Sequence, residues 1–201
     1  MIKQKSLGSL ILAIFLAGVL AIPAIGYPPG RRLTIALGVD MVTAKTGQTA
    51  LSIANARPGT VSIYVGKFPK ILLTQSGFTS KILKGYPIGI YDVKVVSPVW
   101  YDQADEVATT RLYVPNVVAP TQGSITKKTV IKFQYVKAGT IITLTPIKAG
   151  KKGRAVIVRV PVRSTSTVIT LPVRTFAKGT NNGFEVSIGP KIKLKYKFKG
   201  L

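Results

Sequence analysis

The most regular hydrophobic and polar pattern in the chain lies at residues 191–199, where lysine alternates with a large apolar residue at every position. Successive side chains of a strand point to opposite faces, so Lys191, Lys193, Lys195, Lys197 and Lys199 share one face and Ile192, Leu194, Tyr196 and Phe198 the other. A helix would spread these lysines around its circumference. At ~3.3 Å per residue the lysines form a cationic rail roughly 26 Å long. Beyond residue 30 no stretch sustains a 3.6-residue period. Short runs rich in Val, Ile, Thr and Tyr recur between Gly, Pro, Asn and Lys turns, the pattern of a sandwich or barrel. Strands are predicted at 33–43, 49–55, 60–66, 70–75, 79–84, 89–97 and 107–114, and again at 129–137, 140–147, 155–163, 167–174, 184–188 and 191–199. Gly150-Lys-Lys-Gly153 predicts a hairpin turn and residues 178–183 a longer loop. Pro161 and Pro172 cannot donate to a ladder, which places their strands at edges or bulges.

Residues 116–123, within Pro115-Asn-Val-Val-Ala-Pro-Thr-Gln-Gly123, read as a linker. The predicted fold class is therefore all-β: two tandem small β-sandwich domains, Ig-like or jelly-roll-like, over 27–115 and 124–201. An N-terminal hydrophobic helix over 1–26 precedes them. Lys3 and Lys5 lead into an uncharged, mostly apolar stretch, residues 7–26. Two readings stay open. As a signal peptide it has a basic start, a helix-breaking Pro23 and a small-x-small site at Ala24-Ile25-Gly26. As a membrane anchor its ~20 residues suffice to cross a hydrocarbon layer of about 30 Å. Lys3 and Lys5 nearly balance Arg31 and Arg32 across the stretch, so charge gives no firm orientation. Export of the remainder, to an extracellular surface or a virion, is the expectation.

Charge sharpens this picture. The chain carries a net +23, and residues 116–201 hold seventeen basic groups against one acidic, Glu185. Such asymmetry points to a polyanionic partner (nucleic acid, anionic headgroups or acidic glycans) or to a solvated surface. With no cysteine and no histidine, disulfides, thiolate nucleophiles, imidazole bases and nearly all zinc, haem or iron–sulfur ligation are excluded. Few carboxylates remain for acid–base work, so no enzyme activity, cofactor or small-molecule substrate is expected. Abundant Val, Ile, Lys and Thr suits a thermophile.

The candidate polyanion-binding residues are the five rail lysines with Lys151, Lys152 and Arg154, whose Gly150-Lys-Lys-Gly-Arg154 turn has the makings of an anion nest. No Ser or Thr follows these lysines, so the turn is not a P-loop. Asp102, Asp105 and Glu106 form a candidate site for Ca²⁺, against a plain acidic connecting loop. Ser124-Ile-Thr-Lys127 matches an S-x-x-K pattern without the helix and companion motifs that chemistry requires. Tyr196 and Phe198 face away from the lysines, which argues against a stacking platform for single strands. Lysines on an edge strand also block uncontrolled pairing, whereas its apolar face can complete a neighbour's sheet.

Tyr86-Pro-Ile-Gly-Ile-Tyr-Asp-Val-Lys-Val-Val-Ser-Pro98, with Val61-Ser-Ile-Tyr-Val-Gly-Lys67, resembles the hairpin and strand of PEGA-like and carboxypeptidase-regulatory-like small β-sandwich domains. That resemblance implies that Gly89 turns the chain, that Tyr91 packs inward and that the module is non-catalytic. The layout as a whole is similar to structural proteins of hyperthermophilic archaeal viruses and surface appendages, including tail-nozzle proteins of spindle-shaped viruses. It implies a structural subunit that forms homo-oligomers and contacts other structural proteins, with residues 7–26 at a membrane. Asn55, Asn116, Asn181 and Asn182 all miss the Asn-x-Ser/Thr pattern, which tilts the reading from a glycosylated filament towards a virion component. The alternative is a membrane-tethered basic module that grips an acidic glycan, S-layer or nucleic acid.

Overall fold

Alternating apolar and polar residues build most of the longer strands. The computed structural model describes residues 32–98, 104–120, 122–123 and 127–200; they contain strands and turns and no helix. The helix expected over 1–26 lies outside the described residues.

In the first half, β1 (Thr34–Leu37), β2 (Gln48–Val65), β3 (Ile71–Lys84), β4 (Gly89–Ser97) and β5 (Glu106–Val114) join antiparallel in the order β1-β2-β4-β5. β3 pairs along β2. The N-terminal half of β2 pairs with β1 and its C-terminal half with β4, so β1 and β4 lie end to end along the side of β2 away from β3. Inward-facing Leu51, Ile53, Val61, Ile63 and Val65 of β2 bury against Val93, Val95, Leu112 and Val114. Each such aliphatic side chain contributes about 1.5–3 kcal/mol relative to exposure.

The sequence predicts breaks near 56–59 and 76–78, yet β2 and β3 are each continuous. The register shifts between Ile53 and Ala56 and between Ala56 and Gly59. Asn55 at φ 59° and Gly59 at φ 131° absorb the extra residues as bulges, so Pro58 falls where no ladder donor is needed. Ser97 Oγ accepts the Arg57 amide at 3.2 Å, which pins the bulge.

The second half holds β6 (Asn116–Val118), β7 (Gln122–Gly123), β8 (Thr129–Gln134), β9 (Ile141–Lys148), β10 (Lys151–Lys152), β11 (Val156–Arg159), β12 (Thr167–Leu171), β13 (Gly179–Ile188) and β14 (Ile192–Gly200). One sheet runs β10-β9-β13-β14-β7 with β11 against β9; the other runs β12-β8-β6. Between them lie Ile131, Phe133, Ile142, Leu144, Ile169, Phe184, Val186 and Ile188, a second core. As the prolines require, β11 and β12 are outer strands, and Pro161 and Pro172 fall just beyond their ends.

Within the expected linker 116–123, Asn116–Val118 and Gln122–Gly123 are strands. Val117 packs on the second core while Val118 stays exposed, β6 pairs with β8, and β7 pairs in parallel with β14. The loop expected over 178–183 is likewise mostly strand: β13 begins at Gly179 with a bulge before Asn182. The strand expected over 33–43 stops at Leu37. The next residues bond to β5 of the same half, with Tyr113 N donating to Asp40 O at 2.8 Å and Val42 N to Tyr113 O at 3.0 Å, while Met41 packs on the second core. Lys137 donates to the Asp40 carboxylate. Leu33–Leu201 thus forms one compact unit with two cores.

Candidate functional site

The lysine rail emerges as the alternation demands. In β14, Ile192 is buried and Leu194, Tyr196 and Phe198 pack on the second core, which turns Lys191, Lys193, Lys195 and Lys197 to solvent. The aromatic partners fix this orientation. Tyr196 stacks on Phe184 at 4.8 Å between centroids, and Phe198 meets Phe176 edge-on at 4.7 Å. Burial raises the Tyr196 hydroxyl above its ordinary pKa. Lys199 continues the strand opposite Gln122, and its side chain lies outside the described residues.

Neighbouring strands complete the face. Lys193 lies opposite Ser187, Lys195 opposite Glu185 and Lys197 opposite Gly183, and the next strand brings Thr143, Thr145 and Ile147 into the same rows. Lys152 of β10 pairs with Ile147, so it reaches this face from the far side. Glu185 bridges the two groups of cations: its carboxylate meets Lys152 Nζ at 2.6 Å and Lys195 Nζ at 3.2 Å. The Lys152 hydrogen bond, then that of Lys195, holds Glu185 below the usual glutamate range.

Of the sequence candidates, Lys152 joins Lys191, Lys193, Lys195 and Lys197. Lys151 pairs with Lys148 and by alternation belongs to the opposite face, and Arg154 is exposed beyond β10. Two amides of the expected anion nest have partners within the fold. Gly150 N donates to Asn181 O at 2.7 Å and Gly153 N to Pro146 O at 2.8 Å, so the turn spends these amides inside the fold. Glu185, as the organiser of the cations, is not evident from spacing, since its partners are fixed only by register.

Asp102 lies outside the described residues. Asp105 is exposed and Glu106 opens β5 opposite Ser97. Among the described residues no three His, Cys, Asp or Glu side chains gather as a metal cluster. Ser124 and Thr126 are outside the described residues, and Lys127 is exposed. Tyr91 packs at the rim of the first core, 5.5 Å from Phe68 and 5.6 Å from Tyr86, and donates its hydroxyl to Pro87 O at 3.0 Å. Gly89 takes φ 156° beside that ring, where an added Cβ would stand 3.1 Å from the Tyr91 hydroxyl.

A different surface is also open. Among the described residues β3 pairs only with β2, and its far edge has no strand against it. Leu72, Phe78 and Ile82 project from one face of this edge strand, 58%, 69% and 50% exposed.

No protein-family model and no curated protein matches this chain. Among solved structures it is similar to a biofilm-associated protein BSP domain at 14% identity and TM-score 0.30, covering 84% of this chain and 29% of that one. A two-domain fibronectin type III segment of chicken tenascin aligns at 13% identity and TM-score 0.33, covering 83% of this chain and 97% of that one. Fibronectin(III)-like modules of Clostridium thermocellum CbhA align at 14% identity and TM-score 0.34, covering 84% and 94%.

Proposed function

We propose that this chain is a non-enzymatic structural subunit of an extracellular assembly, a virion tail or shell or a surface appendage, that builds through contacts between its β-sandwiches. The observation that carries this reading is the open β3 edge with its exposed apolar side chains. Exposed apolar sheet edges favour strand pairing with another chain, and soluble monomers blunt them. Buried polar groups, in turn, serve the fold itself. Thr49 Oγ1 donates to Val39 O at 2.7 Å and accepts its amide at 2.9 Å, and Asn182 ties together the backbone of residues 149, 177 and 179. The apolar stretch 7–26 supplies export or membrane association in this reading, and the lack of Asn-x-Ser/Thr sites favours a virion component over a glycosylated filament.

Immunogold labelling of the native source tests it. Label on extracellular particles or filaments is expected; label confined to the cell interior would overturn the proposal. Mass spectrometry of the native N-terminus decides between cleavage and anchoring.

A second reading has its own observation. Lys193, Lys195, Lys197 and Lys152 share one exposed face, which suits an acidic glycan, an S-layer or nucleic acid as a partner. Retention on heparin at ~0.15 M salt, abolished when the rail lysines become glutamine, supports that role. Elution of the unaltered chain near ~50 mM salt contradicts it, because several charge contacts hold at that ionic strength.

A further inference from the structure

The sheet edges of this chain are treated unequally. β1, β6, β7, β10, β11 and β12 have at most five residues each. β5 has nine, but it carries Glu106 and Arg111 and meets Met41 in a bridge at Tyr113. β14 also has nine and bears a lysine at every second position, the usual guard against edge pairing. β3 has fourteen residues, ILLTQSGFTSKILK, and from Ile71 to Leu83 its one charge is Lys81. Among the described residues the longest edge is thus the least protected.

Its sequence is also nearly palindromic about Gly77. In an antiparallel pair, directly opposed residues share a face and sit about 4.5–5.5 Å apart at Cβ. If two copies of β3 pair about a two-fold axis through Gly77, residue i opposes residue 154 minus i. Exposed Leu72 then meets Ile82, and exposed Thr74 meets Ser80. On the other face Ile71 meets Leu83, and Leu73 meets the stem of Lys81. The two Phe78 rings fall on the diagonal across the axis, within aromatic reach. Shifting the register by two residues either way sets Leu72 against Lys84 or Ser80 and removes the match. Lys70 opposes Lys84 at each end, where long side chains reach solvent and salt screens them.

We propose that two copies of this chain join edge to edge through β3, antiparallel and centred on Gly77, so that the β2–β3 hairpins of both form one continuous sheet. The inference rests on the structural-subunit reading and names its contact. A closed two-fold contact of this kind is self-complementary, since each copy offers the same edge.

Because the natural chain has no cysteine, cross-linking reads the register directly. The full-length chain is made as Thr74→Cys, as Ser80→Cys, and with both substitutions, then exposed to mild oxidation or a short bis-thiol reagent. Residues 74 and 80 lie ~20 Å apart along their own strand, so short links form only between copies. The double variant is expected to give mostly linked dimer and each single variant only traces. Both sites are exposed, and circular dichroism confirms that each variant keeps its fold. Sedimentation of the unaltered chain is measured alongside. Oligomers without cross-linking in the double variant would overturn the β3 contact and leave the subunit reading standing. A monomer at every concentration would overturn both. Equal cross-linking in single and double variants would overturn the register.

Discussion

Glu185 stands directly across the ladder from Lys195 and accepts its ammonium group at 3.2 Å, while Lys152 donates to the other carboxylate oxygen at 2.6 Å. The sole acidic residue of the basic half therefore sits amid the cations rather than at its margin. Because these bonds depress its pKa, its stabilising contribution is full above the ordinary glutamate value of about 4.3 and is lost as pH falls through the lower native value. Thermal melts of the native chain and Glu185→Gln are expected to differ at pH 7 and to converge in strong acid. A gap that persists unchanged at pH 2 would contradict the assignment.

The same carboxylate tempers the cationic face. Glu185→Gln frees Lys152 and Lys195, so heparin elution is expected to move to higher salt. Replacing Lys193, Lys195 and Lys197 with glutamine moves it to lower salt and makes binding less salt-dependent, because fewer anionic groups are neutralised. Unchanged elution of both variants would show that the face takes no part.

Phe184 is fully buried, stacks on Tyr196 and stands 6.0 Å from Phe198. Phe184→Ala removes the ring that holds the apolar side of β14, at a cost of about 3–5 kcal/mol. Denaturant titration measures it; a destabilisation below ~1 kcal/mol would place the ring outside the core's main packing.

Asn182 is 1% exposed and fully engaged: its Oδ1 accepts from the Ala177 and Ala149 amides at 3.0 and 3.3 Å, and its Nδ2 donates to Ala177 O and Gly179 O at 2.7 and 3.0 Å. Asn182→Leu strands these backbone groups and is expected to cost more than ~2 kcal/mol, since each orphaned buried group costs about 1–3 kcal/mol. Asn182→Asp keeps the acceptor but removes both donors, so it also destabilises. Wild-type stability in either variant, read by chemical denaturation, would contradict this role.

What the sequence discloses here follows from how local each signal is. The Lys-apolar alternation of 191–199 fixes both the strand and its two faces without any knowledge of neighbouring strands. Strand β4 matches the predicted 89–97 because Gly89 and Pro98 mark its ends. Asn55 and Gly59 are legible as interruptions, but positive φ serves a bulge as well as a turn, and only pairing with β3 distinguishes them. The Lys152–Glu185–Lys195 cluster and the open side of β3 depend on strand order and register, which residue spacing does not encode. Met41 shows the same limit, since it lies in the first half of the chain and packs on the second core.

Whether β3 is an assembly edge is decided by sedimentation velocity of the full-length chain across concentration and salt, beside a Leu72→Lys, Ile82→Lys variant. Assembly through β3 predicts a sedimentation coefficient that rises with concentration and with added salt, as repulsion between the highly cationic copies is screened. The variant, which sets lysines against one another across the two-fold axis, is predicted to stay monomeric with unchanged circular dichroism. A native chain that sediments as a single monomeric species under every condition would contradict assembly through this edge.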